Sequence, residues 1–224
     1  MIVCIDPGHV GFDSGNVNSG RKETDYTWPV SLFFQEALVR CGIQAALTRD
    51  KNKPYSFGSL GEELSDRANF ANRMQADLFV SWHNDSFTNP EANGVAVWIC
   101  NAARGTETQE IARKIVDAIS AATGQTNRGV RIADYAVLVQ TNMHAVLIEA
   151  GFASNPEENK KLADPEFQKM QAEAAARAVC EYFRVTYIPP AESQPAGTPI
   201  IGTAQATVEQ AQTFFEKKTG LKLV

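Results

Sequence analysis

Over the first 187 residues, short apolar runs alternate with stretches of helical spacing. Ile2–Ile5 reads as a strand, and Ile43–Thr48 as a second. Between them, Val30, Phe33, Phe34, Ala37, Leu38 and Cys41 recur three and four positions apart. This predicts a helix that starts near Asp25 and is stopped by Gly42. Leu64, Ala68, Ala71 and Met74 predict a second helix over roughly 60–75. Leu78–His83 is a third strand, continuous and buried-looking, and Gly94–Cys100 a fourth. Ile111, Ile115, Ala118 and Ala122 share one side of a helix over Thr106–Thr123. Tyr135–Gln140 and Ala145–Glu149 complete a set of six predicted strands. Pro156 and Pro165 follow Asn155 and Asp164, a pairing of cap and first-turn proline that opens a helix. The alternation predicts an α/β single domain. Its twisted, mostly parallel sheet of about six strands would be covered by helices on both faces.

The pattern changes near residue 188. Residues 188–199 hold four of the chain's ten prolines and read as an extended, Pro-rich linker between a domain at 1–187 and the rest. In the short tail, 200–224, Thr207 caps a predicted helix with Val208, Ala211, Phe214 and Phe215 on one face. So short a segment cannot bury a core alone. The tail is expected to dock on the body, to act as the arm of a homodimer, or to begin a further domain.

Composition narrows the chemistry. The 21 basic and 26 acidic residues offer no polybasic surface for nucleic acid. No apolar run approaches the roughly 18 residues of a membrane span. Cys4, Cys41, Cys100 and Cys180 are far apart, each in an apolar segment, and read as buried free thiols. The N-terminus shows neither a charged leader nor a cleavage site. The chain is therefore expected to be made in the cytoplasm, unless a signal has been removed. Only three histidines are present: His9, His83 and His144.

In open α/β sheets, sites gather beyond the C-terminal ends of strands. Three ends here carry reactive groups. Asp6-Pro7-Gly8-His9 follows the first strand, His83-Asn84-Asp85 ends the third, and Glu149 follows four apolar residues on the last. A carboxylate in that position is poorly solvated and needs a partner or neutralises. Two histidines with one or two carboxylates suit zinc, which takes imidazole and carboxylate ligands and keeps a position open for water. Zinc would bring that water's pKa near 7, leaving a further carboxylate to carry its proton. Two satisfied histidines beside a turn would give the same spacing, and no H-E-x-x-H helix is present.

The words of the sequence go further. Asp6-Pro7-Gly8-His9-Val10-Gly11 resembles the opening D-P-G-H-G-G motif of zinc-dependent N-acetylmuramoyl-L-alanine amidases of the amidase-3 type. Gly20-Arg21-Lys22-Glu23 resembles the segment that supplies that family's ligand glutamate, and Leu47-Thr48-Arg49 its T-R turn. Arg67-Ala68-Asn69-Phe70-Ala71-Asn72, followed by Ala76 to Asn84, is similar to its long central block. Val146 to Asn155 is similar to its V-L-x-E-x-G-F-x-S-N block. These motifs occur in family order across residues 1–184.

The resemblance implies His9, Glu23 and His83 as ligands of one zinc ion and Glu149 as the catalytic carboxylate. It also implies hydrolysis of the amide between N-acetylmuramic acid and L-alanine in peptidoglycan, as in a phage endolysin or bacterial autolysin reaching the wall after release. A zinc peptidase and a non-catalytic wall-binding module are the alternatives. The second has no use for a desolvated carboxylate at Glu149.

Some positions depart from the family. Val10 replaces a glycine, and Trp82 replaces a smaller aliphatic residue and is expected to pack. Asp85 is expected to be solvated, with a hydrogen bond to a ligand imidazole as the alternative. His144 stands where proline is usual and reads as a strand-edge bystander. Asp25 competes with Glu23 for the ligand role and could instead be a helix-start acid. Asp6, Asp13, Asp50 and Asp66 read as turn, cap or solvated residues.

Overall fold

A computed structural model describes residues 1–9, 13–49 and 59–191. The first elements are β1 (Ile2–Pro7), a hairpin of β2 (Val17–Asn18) and β3 (Arg21–Lys22), α1 (Thr24–Arg40) and β4 (Gln44–Leu47). Next come α2 (Leu60–Met74), β5 (Leu78–Asp85), β6 (Val95–Ile99), α3 (Glu107–Thr123) and β7 (Asn127–Ile132). The last are α4 (Ala136–Val139), β8 (His144–Phe152), α5 (Pro156–Leu162) and α6 (Pro165–Tyr182). The main sheet has six strands in the order β4-β1-β5-β8-β6-β7. Four run parallel, while β6 and β7, parallel to each other, join β8 antiparallel. The expected mostly parallel α/β sheet is thus present. No helix among the described residues is long and apolar enough to cross a membrane.

Alternation along each strand sends neighbouring side chains to opposite faces. Val3, Ile5, Val80, Val97 and Val146 pack on one face against α1, α3 and α6. Cys4, Phe79, Ala145 and Leu147 pack on the other, against Ala71 and Met74 of α2 and Val137 and Leu138 of α4. Trp82 is fully buried on the first face, edge-on to Phe34 at 5.6 Å, and packs as expected. All four cysteines are free, three of them buried. Asn155 and Asp164 accept hydrogen bonds from the first turns of α5 and α6.

One predicted strand is corrected. Tyr135–Gln140 is not extended; Ala136–Val139 forms the single-turn helix α4. Two adjacent apolar residues, Val137 and Leu138, are both buried against the sheet. A strand with one buried face would bury alternate positions instead. The missing strand is β7, which closes the sheet edge and is mostly exposed, so it lacks an apolar run. Of the linker, only Ile188–Ala191 is described; its start is held where Arg40 Nε donates to Ile188 O at 2.9 Å. The predicted tail at 200–224, Val10, Gly11 and Asp50 lie outside the described residues.

Candidate active site

The site is built on the C-terminal ends of β1, β5 and β8. In register, His83 of β5 lies beside Glu149 of β8, which lies beside Ala96 of β6. Registered neighbours share a face, so the His83 and Glu149 side chains project together, on the face that carries Leu147 and Trp98. His9 follows β1, which is also next to β5. Its backbone is left-handed, with φ of 58°. Gly8 lets β1 approach β5 closely: a Cβ there would lie 2.5 Å from the His83 ring and 2.6 Å from Trp82 O. Arg49 holds the same turn by donating to the carbonyls of Pro7 and Gly8 at 3.0 and 3.3 Å.

Glu23 is delivered by the β2–β3 hairpin at the start of α1, where its carbonyl accepts from Tyr26 and Thr27 N–H groups. Its side chain is buried. Oε1 lies 3.1 Å from His83 Nδ1, and Oε2 lies 3.2 Å from His9 Nε2. The two imidazole nitrogens are 3.1 Å apart. One ligand atom from each of His9, Glu23 and His83 falls within 4.8 Å of the others. Asn16 Nδ2 and the Asn84 N–H donate to the Glu23 carboxylate at 2.6 and 2.9 Å. Asp25, the competing acid, is exposed and accepts from Lys22 N instead.

Electrostatics follow from this crowding. Burial works to raise the Glu23 pKa, but His83 and His9 hold it well below the usual carboxylate range. Burial lowers His83 and outweighs its bond to Glu23. For His9, burial is outweighed by Glu23 and Asp13, and its pKa rises. Glu149 stands apart from this trio. Its Oε2 is buried without a hydrogen-bond partner among the described residues. Burial first, then the charges of Glu23 and Asp85, lift its pKa well above the ordinary value.

Two of the acids expected to be turn, cap or solvated residues, Asp13 and Asp6, belong to the site's framework. Asp13 Oδ2 lies 2.8 Å from His9 Nδ1 and its Oδ1 accepts from Gly15 N at 3.0 Å. It therefore orients the ring whose other nitrogen faces Glu23. The four-residue spacing from His9 was the only signal available in the sequence. Asp6 is 0% exposed. It accepts from Arg67 Nε and Nη2 at 2.9 and 2.6 Å, from Ser81 at 2.7 Å and from Thr48 at 2.7 Å. Asp66 is at the surface, 3.8 Å from Arg73. Asp85 is partly buried, accepts from Ser86 N, and is raised by burial, so it is not simply solvated. His144 starts β8, at the far end from Glu149, and its Nδ1 lies 2.8 Å from Thr108 Oγ1.

Comparison with known proteins gives the chain's family. Residues 3–181 match the Amidase_3 family, described as N-acetylmuramoyl-L-alanine amidase. The chain belongs to this family. The "Probable cell wall amidase LytH" of Staphylococcus epidermidis is 31% identical over 81% of this chain and 58% of its own length. The N-acetylmuramoyl-L-alanine amidase LytC of Bacillus subtilis is 28% identical over 81% of this chain and 35% of its own. The chain thus spans about a third to three-fifths of these relatives. Among solved structures, an N-acetylmuramoyl-L-alanine amidase from Clostridium difficile 630 superposes with a TM-score of 0.75 at 31% identity. That superposition covers 82% of this chain and 96% of that one. The catalytic domain of CwlV from Bacillus (Paenibacillus) polymyxa gives 0.74 at 30%, covering 83% and 99%. These lengths show that the amidase fold corresponds to the six-stranded sheet and its helices.

Proposed function

We propose that this chain is a zinc-dependent amidase of peptidoglycan, hydrolysing the amide between N-acetylmuramic acid and L-alanine. The observation that carries the reading is the convergence of His9 Nε2, His83 Nδ1 and the Glu23 carboxylate, with Glu149 on the adjoining strand, its Oε2 unpartnered among the described residues. The donor set fits zinc: two imidazoles and one carboxylate, with His9 held from behind by Asp13. Family membership, and relatives whose names describe cell-wall amidases, support the substrate.

When bound, zinc supplies Lewis-acid polarisation of a carbonyl and activation of water at neutral pH. The chain's own residues do the rest. His9, Glu23 and His83 would hold the ion. Glu149 takes the proton of the attacking water at its carboxylate and returns it to the departing alanine amine. A carboxylate lifted by burial and like charges is matched to a group that must both accept and give a proton near neutrality. A wall-binding module without turnover would gain nothing from that desolvated group.

Metal removal tests the reading. Dialysis against a chelator is expected to abolish turnover, and one equivalent of zinc to restore it. Asp13→Ala is expected to weaken zinc binding about 10–100-fold, because an unanchored imidazole loses its fixed tautomer and orientation. Competition against a chromophoric chelator measures this directly. Unaltered affinity would remove Asp13 from the metal centre, and full turnover without metal would sink the zinc assignment.

A further inference from the structure

On the far side of Glu149 from the two histidines, the sheet carries an aromatic pair. Trp98 of β6 is two residues beyond Ala96, the residue registered with Glu149. Trp98 therefore shares the site's face and is a diagonal neighbour of Glu149. Tyr135, at the start of α4, stands edge-on to Trp98 with ring centroids 5.5 Å apart and an interplanar angle of 69°. Tyr135 is 39% exposed although its ring is braced by the indole. The Trp98 Nε1 atom is buried without a partner among the described residues. Burial raises the phenol's pKa, and the charges of Glu149 and Asp85 add to that rise. An aromatic ring held open to solvent, braced on the face that carries Glu149, serves neither the core nor the metal trio.

We propose that Tyr135, backed by Trp98, is the platform that takes the muramic-acid ring of the substrate and so selects glycan-linked stems. This rests on the peptidoglycan reading of the site. The scissile amide joins a lactyl ether on the sugar to the peptide, so the pyranose necessarily sits within a few bonds of the reacting carbonyl. Glu149 lies diagonal to Trp98 on the same face, and its charge and that of Asp85, which both act on Tyr135, repel the carboxylates of a stem peptide. A neutral pyranose suffers no such penalty. Its axial C–H groups pack on an aromatic face, and its hydroxyls donate to acidic oxygens. The indole fixes the tyrosine ring in advance, so little side-chain freedom is lost on binding.

The test compares two substrates on the full, zinc-loaded chain: a disaccharide–peptide, and the same peptide carrying an N-lactoyl group with no sugar. Tyr135→Ala is expected to raise KM for the disaccharide–peptide about tenfold with kcat within about twofold, and to leave the sugar-free substrate unaffected. Tyr135→Phe should behave as the wild type, because the ring and not the hydroxyl makes the platform. Calorimetry with the peptide-free disaccharide, its lactyl carboxyl capped as the neutral N-methylamide, should show binding to the wild type and not to Tyr135→Ala. Equal losses on both substrates, no loss on either, or a phenylalanine variant as impaired as the alanine one would overturn the platform while the amidase reading stood. A wild-type chain that cleaves neither substrate would overturn the amidase reading, and the platform with it.

Discussion

Replacing Glu149 with glutamine is expected to cut stem release about a thousandfold, the scale of losing a positioned acid–base group. Zinc affinity should stay within about threefold of wild type, because no imidazole or ligand carboxylate is disturbed. The fold should not suffer. The Oε2 atom has no partner to lose among the described residues, and charge on this carboxylate is opposed by burial and by Glu23 and Asp85. A neutral amide of the same shape removes that opposition, so the melting temperature is expected to hold or rise. Turnover measured with purified peptidoglycan, beside a zinc titration and a melting curve, separates the three effects. Substantial activity in the glutamine variant would show that another group moves the proton. Lost zinc would make Glu149 a ligand instead.

The largest expected effect on stability comes from Arg67→Met. Arg67 reaches from α2 to the buried Asp6 at the end of β1 with two short bonds. Without the guanidinium, Asp6 keeps only the hydroxyls of Ser81 and Thr48 as side-chain donors among the described residues. Removing one partner of a buried ion pair costs about 3–5 kcal/mol, more than the intact pair contributes, because the remaining charge is stranded. Burial alone would raise Asp6, but Arg67, Ser81 and Thr48 together hold its pKa well below the ordinary carboxylate range. Its folded value therefore lies below its unfolded value. The stability this contributes is present above the unfolded carboxylate pKa, roughly 4, and fades as pH falls toward the folded value. Chemical denaturation across that window should show the wild type losing stability on acidification. The gap between wild type and Arg67→Met should narrow below about pH 4. A variant with wild-type stability at pH 7, or a gap that widens in acid, would refute the role given to this pair.

Local patterns made most of the fold legible. The spacing of Val30, Phe34, Ala37 and Leu38 marks α1 because a single face of that helix meets the sheet. Pro156 and Pro165 mark helix starts because the cap and the missing N–H act within one turn. For the same reason the pattern misses edge strand β7 and reads the single turn α4 as a strand. An exposed strand needs no apolar run, and two adjacent buried residues in one helical turn look like a buried strand. The trio of His9, Glu23 and His83 was readable through the words around it, since each lies in its own motif. Asp6 and Asp13 were not readable as framework residues. Their roles depend on Arg67 and Ser81, 61 and 75 positions away, and on a ring rotated by a left-handed backbone at His9. Nothing in local composition distinguishes a carboxylate that receives such partners from one facing water.

The identity of the bond that is cut decides the function. Purified peptidoglycan digested with the zinc-loaded chain, followed by identification of every newly formed N-terminus, tests it most directly. Hydrolysis of the muramoyl amide predicts free stems with L-alanine as the single new N-terminal residue and an intact glycan bearing bare muramic acid. A new N-terminus at any other residue, or stems still attached to muramic acid after complete digestion, would contradict it.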